Sequence, residues 1–296
     1  MTAQQAVQWA QAQLQAAEIE DAPREAHALV AACLGWERAR LIAHPDARLN
    51  GAQIRRLHRW TRRRAAREPL AYLTRRAWFY GLPLTVGRGA LIPRPETELL
   101  VERFLHWAKQ DALTPCPSPT VQERGDAPVL VDAGTGTGAI ALACLTHAPG
   151  WRAIGVDRSR RALRYAQINR RALGLESRLL LAQSNWLRGL RNTSVDAVLS
   201  NPPYVLPDEW DALPPEAARY EPKGALLAPA HDPLQPYRRI ARDARRVLRT
   251  GGLLAFETSP RLAPLIAAQL PAWGFAQPQI MHDYAGAMRV VWAITT

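Results

Sequence analysis

Apolar residues recur at helical spacing through the first part of the chain: Val7, Ala10 and Leu14, then Ala28, Leu29, Ala32 and Cys33, then Ile54, Leu57, Trp60 and Thr61. The run is broken by HPDARLNG at positions 44–51. This period predicts a small helical domain over residues 1–72. The pattern then shortens to two short β-like runs, AWFY at 77–80 and LPLTV at 82–86, close enough to form a hairpin within a connecting segment 73–92. A helix is expected near Pro95 or Glu96, since proline and acidic residues both suit a first helical turn. The stretch Thr114 to Pro128 has the proline, serine and charge content of a surface linker.

Beyond Pro128 the pattern changes again. VLVDAG, WRAIGVD, SRLLLAQSNW, VDAVLSNPPY and GGLLAFETS are apolar, strand-like runs, and AIALACLTHA, SRRALRYAQINRRALGL and PLQPYRRIARDARRVLRT between them have helical character. Strands buried on both sides and separated by helices predict an α/β fold with a doubly wound, mainly parallel sheet over 93–296. Ligands in that architecture sit beyond the carboxyl ends of the strands.

Composition narrows the classes. The 296 residues are 48% hydrophobic and 22% charged, which excludes a largely disordered chain. No apolar run approaches the ~18 residues of a membrane span, and the start lacks the basic and apolar blocks of a secretory signal, so a cytoplasmic protein is expected. Cys33, Cys116 and Cys144 are scattered, which argues against a disulfide framework or a thiolate metal site. The net charge of +12 is carried almost wholly by arginine, with Lys109 and Lys223 the only lysines. Its densest cluster, Arg55 to Arg67, fits a solvated helix face, a contact with ribosomal RNA or a contact with an acidic protein.

The chemistry lies at the strand ends. In DAGTGTGAIAL, Gly134, Gly136 and Gly138 with Thr135 and Thr137 form a loop tighter than the dinucleotide fingerprint. Asp157 ends the next strand about 20 residues on, where a carboxylate can accept from both hydroxyls of a ribose. Ser184, Asn185 and Trp186 end the third strand, a polar group and an aromatic plate able to frame an adenine. Together they describe a nucleoside site without a phosphate grip, which suits S-adenosylmethionine. The fourth strand runs into Asn201, Pro202, Pro203 and Tyr204. The prolines have no N–H, so this turn is an acceptor surface: the Asn201 side-chain oxygen and the Pro202 carbonyl can hold both hydrogens of a planar –NH2, and Tyr204 can stack behind it.

The combination of DAGTGTGAIAL, GVDRS, SNW and SNPPYV resembles the class I, Rossmann-like methyltransferases that alkylate planar nitrogens. EPLAYLTRRAWFYGLPLTVGRGALIPRPETELLVE, RYEPKGALLA and DYAGAMRVV resemble the protein glutamine-N5 methyltransferase branch. The resemblance implies cofactor contacts at Gly134 through Gly138, Asp157, Asn185, Trp186 and Asn201, and a substrate glutamine at Asn201, Pro202, Pro203 and Tyr204. It also implies S-adenosyl-L-methionine as methyl donor, S-adenosyl-L-homocysteine as product, no metal, and a monomer that acts on the Gly-Gly-Gln glutamine of peptide-chain release factors. A glutamine of a large-subunit ribosomal protein and an amino group of adenine or guanine in nucleic acid stand as alternatives. Two positions depart from the family: Asn185 replaces the usual acid before the tryptophan, and Thr258 follows Glu257 where a histidine and glycine are usual.

Overall fold

The computed structural model describes residues 1–113 and 127–296, and the chain divides into two compact units. The expected linker from Thr114 and its Cys116 lie outside the described residues, apart from the last two linker positions. One unit comprises Met1–Arg76 with Leu213–Tyr220, the other Ala77–Ala212 with Glu221–Thr296.

The first unit is helical, with α1 (Ala3–Ala16), α2 (Ala22–Leu34), α3 (Arg38–Ala43), α4 (Gly51–Ala65) and α5 (Leu70–Thr74). Reciprocal capping boxes start two of them: Thr2 with Gln5 before α1, and Asn50 with Gln53 before α4. Leu14, Leu29 and Leu57 are fully buried in its core, as the helical spacing predicts. One member of the arginine cluster goes inside. Arg64 is only 6% exposed and donates to Glu25 at 2.5 and 3.1 Å and to Glu216 at 2.8 Å, in the returning segment.

The second unit begins with the hairpin, β1 (Arg76–Phe79) and β2 (Leu82–Thr85), followed by a 3-10 turn at Pro95–Thr97 and α6 (Glu98–Leu113). It continues as β3 (Val129–Ala133), α7 (Ala139–His147), β4 (Arg152–Asp157), α8 (Arg160–Ala172), β5 (Leu179–Gln183) and β6 (Val195–Ser200). After a 3-10 segment, α9 (Pro215–Tyr220) belongs to the helical unit, and α10 (Lys223–Leu226), α11 (Gln235–Val247), β7 (Leu248–Glu257), α12 (Ala263–Gln269), β8 (Phe275–His282) and β9 (Met288–Thr295) complete the sheet unit. The sheet order is β5-β4-β3-β6-β7-β9-β8. The first five strands run parallel, and β9 pairs antiparallel with both β7 and β8. That final antiparallel pair is an addition to the predicted parallel sheet.

Alternate residues of the central strands feed two cores. Leu130, Leu253 and Ala255 face one cluster with α7, and Val131, Leu254 and Phe256 face another with α11. Each fully buried large apolar side chain contributes about 1.5–3 kcal/mol. These two layers fix the strand ends, where the sequence places its chemistry.

Candidate active site

The sheet register lines up five strand ends. Ala133 pairs with Val156 on one side and Ser200 on the other, Asp157 pairs with Gln183, and Ser200 pairs with Phe256. The residues one step further, Ser184, Gly134, Asn201 and Glu257, therefore share one edge of the sheet with Asp157. Ser200 Oγ donates to the Ala133 carbonyl at 2.6 Å, tying the glycine loop to the strand that enters the acceptor turn.

Gly134, Gly136 and Gly138 have φ of 81°, 58° and 84°, in the region that side chains other than glycine's rarely adopt. A Cβ on Gly134 would stand 3.5 Å from the Trp186 ring. Trp186 itself has φ of 58°, uncommon for an aromatic residue. The Asp157 carboxylate accepts from Gly136 N at 2.9 Å and Ser159 N at 2.7 Å, and burial raises its pKa. Each oxygen keeps a second lone pair for a hydroxyl. Thr135 donates through its hydroxyl to Asp132 at 2.7 Å, and Thr137 is buried with its carbonyl on Asn169. Asn185 is exposed beside Trp186.

Asp132, the first residue of the glycine-loop motif, is a functional candidate that the sequence reading passed over. It is fully buried, and burial pushes its carboxyl up to about 6 despite hydrogen bonds from Thr135 and Ala141 N. Its Oδ1 has no hydrogen-bond partner among the described residues. A buried carboxylate oxygen without a partner is costly, and an ordered water or a ligand N–H is the kind of group that would satisfy it. The donor set thus fits S-adenosylmethionine: Cβ-free backbone, a ribose acceptor, an aromatic plate and a buried anionic group.

In the acceptor turn, Asn201 Nδ2 donates to Thr97 Oγ1 at 3.2 Å, which leaves Oδ1 as its open group. Pro202 is buried, Pro203 half-buried, and the Tyr204 hydroxyl donates to Glu257 at 3.1 Å. Burial pushes the Tyr204 pKa well up, so the ring remains a neutral phenol. The Thr97 turn is anchored in its own right. Glu221 accepts from Ile92 N at 3.0 Å and pairs with Arg94, which joins IPRPET to RYEP. Thr97, Glu221 and Glu257 were missed as site residues, although Glu257 ends its strand as Asp157 does.

The arginine cluster of α4 divides. Arg63 pairs with Glu68, Arg64 with Glu25 and Glu216, and Arg67 with Glu216. Arg56 lies over the Trp60 ring, and Arg55, Arg59 and Arg62 are exposed with no ion pair among the described residues.

Sheet, glycine loop and strand-end residues define a class I, S-adenosylmethionine-dependent methyltransferase. The fold is shared with a methyltransferase from Pyrococcus furiosus, with a TM-score of 0.50 at 15% identity over 73% of this chain and 89% of that one. Two family models match, the PrmC N-terminal domain over residues 5–74 and the methyltransferase small domain over residues 118–219. The release factor glutamine methyltransferase of Cereibacter sphaeroides is 37% identical over 98% of both chains, and that of Moorella thermoacetica 37% identical over 98% of this chain and 97% of its own. The chain belongs to the release factor glutamine methyltransferase family. No described helix is long and apolar enough to cross a membrane.

Proposed function

We propose that the protein transfers a methyl group from S-adenosylmethionine to the side-chain amide nitrogen of the glutamine in the Gly-Gly-Gln motif of peptide-chain release factors, leaving S-adenosylhomocysteine and a proton that the nitrogen sheds after transfer. The observation that carries this reading is the Asn201 amide, whose nitrogen is taken by Thr97 while its oxygen stays open just past the strand next to the glycine loop. Relatives of nearly the same length named for that activity support the substrate assignment.

S-adenosylmethionine, when bound, supplies an electrophilic methyl carbon on a sulfonium. The backbone of Gly134, Thr135, Gly136, Thr137 and Gly138 would hold it, with Asp157 on the ribose, Asn185 and Trp186 on the adenine, and Asp132 as the buried anion. At the acceptor turn, Asn201 Oδ1 and the Pro202 carbonyl accept the two amide hydrogens, while Pro203 and Tyr204 shape the surface behind the nitrogen. Holding both hydrogens favours localisation of a lone pair that an amide otherwise delocalises, so positioning and electrostatics supply the catalysis. The reading places the protein in the cytoplasm as a monomer.

Incubation with release factor and S-adenosylmethionine, followed by peptide mass spectrometry, tests it. One added methyl on the glutamine of the Gly-Gly-Gln peptide is expected. Methyl on a ribosomal-protein glutamine alone, or on nucleic acid alone, replaces the reading with the corresponding alternative.

A further inference from the structure

The outer face of α4 has no part in the proposed transfer. Arg63, Arg64 and Arg67 all find carboxylates, whereas Arg55, Arg59 and Arg62 are exposed and form no ion pair among the described residues. Their spacing of four and three residues puts them on one face of the helix, about 10 Å from first to last at 1.5 Å per residue. Like charges at that spacing repel one another. A single small anion does not span the row, but successive phosphates of a chain do.

The row borders a cleft of about 560 Å³ lined by residues of α1 and α4, both within the helical unit. The exposed His58 ring lies against the half-buried Trp9 ring in this cleft, with centroids 4.2 Å apart and planes 35° apart. Trp9 packs in turn on the core of the unit and so backs His58 as a fixed plate. Gln13 brings a side-chain amide to the cleft and Thr61 a hydroxyl. Thr61 is 1% exposed, and its Oγ1 has no hydrogen-bond partner among the described residues. A buried polar group of that kind is satisfied by a ligand or an ordered water. No acidic residue is among those lining the cleft.

Arginine row, ring plate and polar groups answer different parts of one ligand. Guanidiniums pair with phosphates, an aromatic ring stacks on an unpaired base, and an amide exchanges hydrogen bonds with a ribose 2′-hydroxyl. We propose that this cleft binds single-stranded RNA, with successive phosphates along Arg55, Arg59 and Arg62, a base on the His58 ring and a 2′-hydroxyl at Gln13. A duplex keeps its bases stacked on one another and out of reach of His58, and an acidic peptide has no use for the plate. The site belongs to the helical unit and stands whether or not the methyl group goes to a release factor.

Fluorescence anisotropy of the full-length protein with a labelled single-stranded RNA of about 12 nucleotides, read from about 50 to 200 mM salt, tests the proposal. R55S/R59S/R62S should weaken binding at least about tenfold at the lower salt and make the slope of log K against log salt shallower by about 2, from three phosphate contacts at about 0.7 each. H58A should weaken binding at least about fivefold with the slope unchanged, and H58Y, which keeps a ring, should restore it. The same RNA paired with its complement, and DNA of the same sequence, should each bind at least about threefold more weakly. R164S/R171S/R239S removes the same charge from exposed arginines of α8 and α11 and should change affinity less than about threefold. Absence of RNA binding by the wild type overturns the proposal. An equal loss in R164S/R171S/R239S reduces the effect to net charge, and equal binding of duplex or DNA removes the assignment to single-stranded RNA. RNA binding unaltered in R55S/R59S/R62S, with a raised KM for release factor, makes the cleft a protein-docking surface instead.

Discussion

Replacing Asp132 by asparagine removes a charge that the fold holds at a cost. The carboxyl is raised from 3.8 to about 6 by burial, so keeping it ionised in the native state costs about 3 kcal/mol. The sign follows from proton binding: between roughly pH 4 and 6 the folded state binds the proton more tightly than the unfolded chain, so this group's contribution falls as pH rises through that window and is flat above it. Asparagine has no such limb. It places an N–H2 where Oδ1 already lacks a partner, and an orphaned donor costs about 1–3 kcal/mol at every pH. The variant is therefore expected to be less stable than wild type near pH 4, and as stable or more stable by up to about 2 kcal/mol near pH 8. The change in their difference between the two pH values is about 3 kcal/mol whatever the orphan donor costs. Urea unfolding followed by tryptophan fluorescence at both pH values gives that double difference. Calorimetry with S-adenosylmethionine should show at least about tenfold weaker binding, because the buried anion has gone. A double difference below about 1 kcal/mol, or unchanged cofactor affinity, refutes the assignment of Asp132 as a charge retained for a ligand.

Three further outcomes are expected. Asn201→Ala should lower methyl transfer by at least about 10²-fold while calorimetry finds cofactor affinity changed less than about tenfold, since the acceptor for the amide is lost and the glycine loop stays. Asp157→Asn should weaken cofactor binding by about 1.5–3 kcal/mol, the worth of hydrogen bonds to a charged group, with kcat at saturating cofactor much less affected. Arg64→Ala strands Glu25 and leaves Glu216 with Arg67 alone, and should cost about 3–5 kcal/mol in denaturant unfolding, whereas Arg55→Ser, Arg59→Ser and Arg62→Ser should each fall within about 0.5 kcal/mol of wild type.

The elements proposed to carry the reaction were legible because their constraints are local. Glycines at 134, 136 and 138 need left-handed backbone, an acid at the end of the next strand needs only a spacing, and two prolines announce a turn without donors. The pairing partners were not legible. Thr97 read as a residue of a helix start, and only the fold brings it across 104 positions to Asn201. Glu257 is one charge at the end of an apolar run, and nothing in that run announces that Tyr204, past the end of another strand, donates to it. The pair β8 and β9 escaped the pattern because β8 alternates between half-buried and exposed residues, without the apolar run of an interior strand. Its turn is made by Asp283, which accepts from Ala285 N and Ala287 N, with Gly286 at φ 81°. Arg64 misled in the opposite direction, since a periodicity argument assigns every arginine to the wet face of a helix.

The return of Leu213–Tyr220 to the helical unit bears on how the protein can be divided. A fragment ending at Arg76 keeps all five leading helices yet lacks Glu216, and Tyr220, whose hydroxyl donates to the Ala66 carbonyl at 2.7 Å. Arg64 would then sit in a folded interior with Glu25 as its only carboxylate. The reciprocal fragment would carry an eight-residue strap with nothing to fold on. Expression in pieces, or exchange of the leading domain with that of a relative, should therefore transplant residues 213–220 along with 1–76. The boundary of this enzyme is three cuts in the chain, after residues 76, 212 and 220.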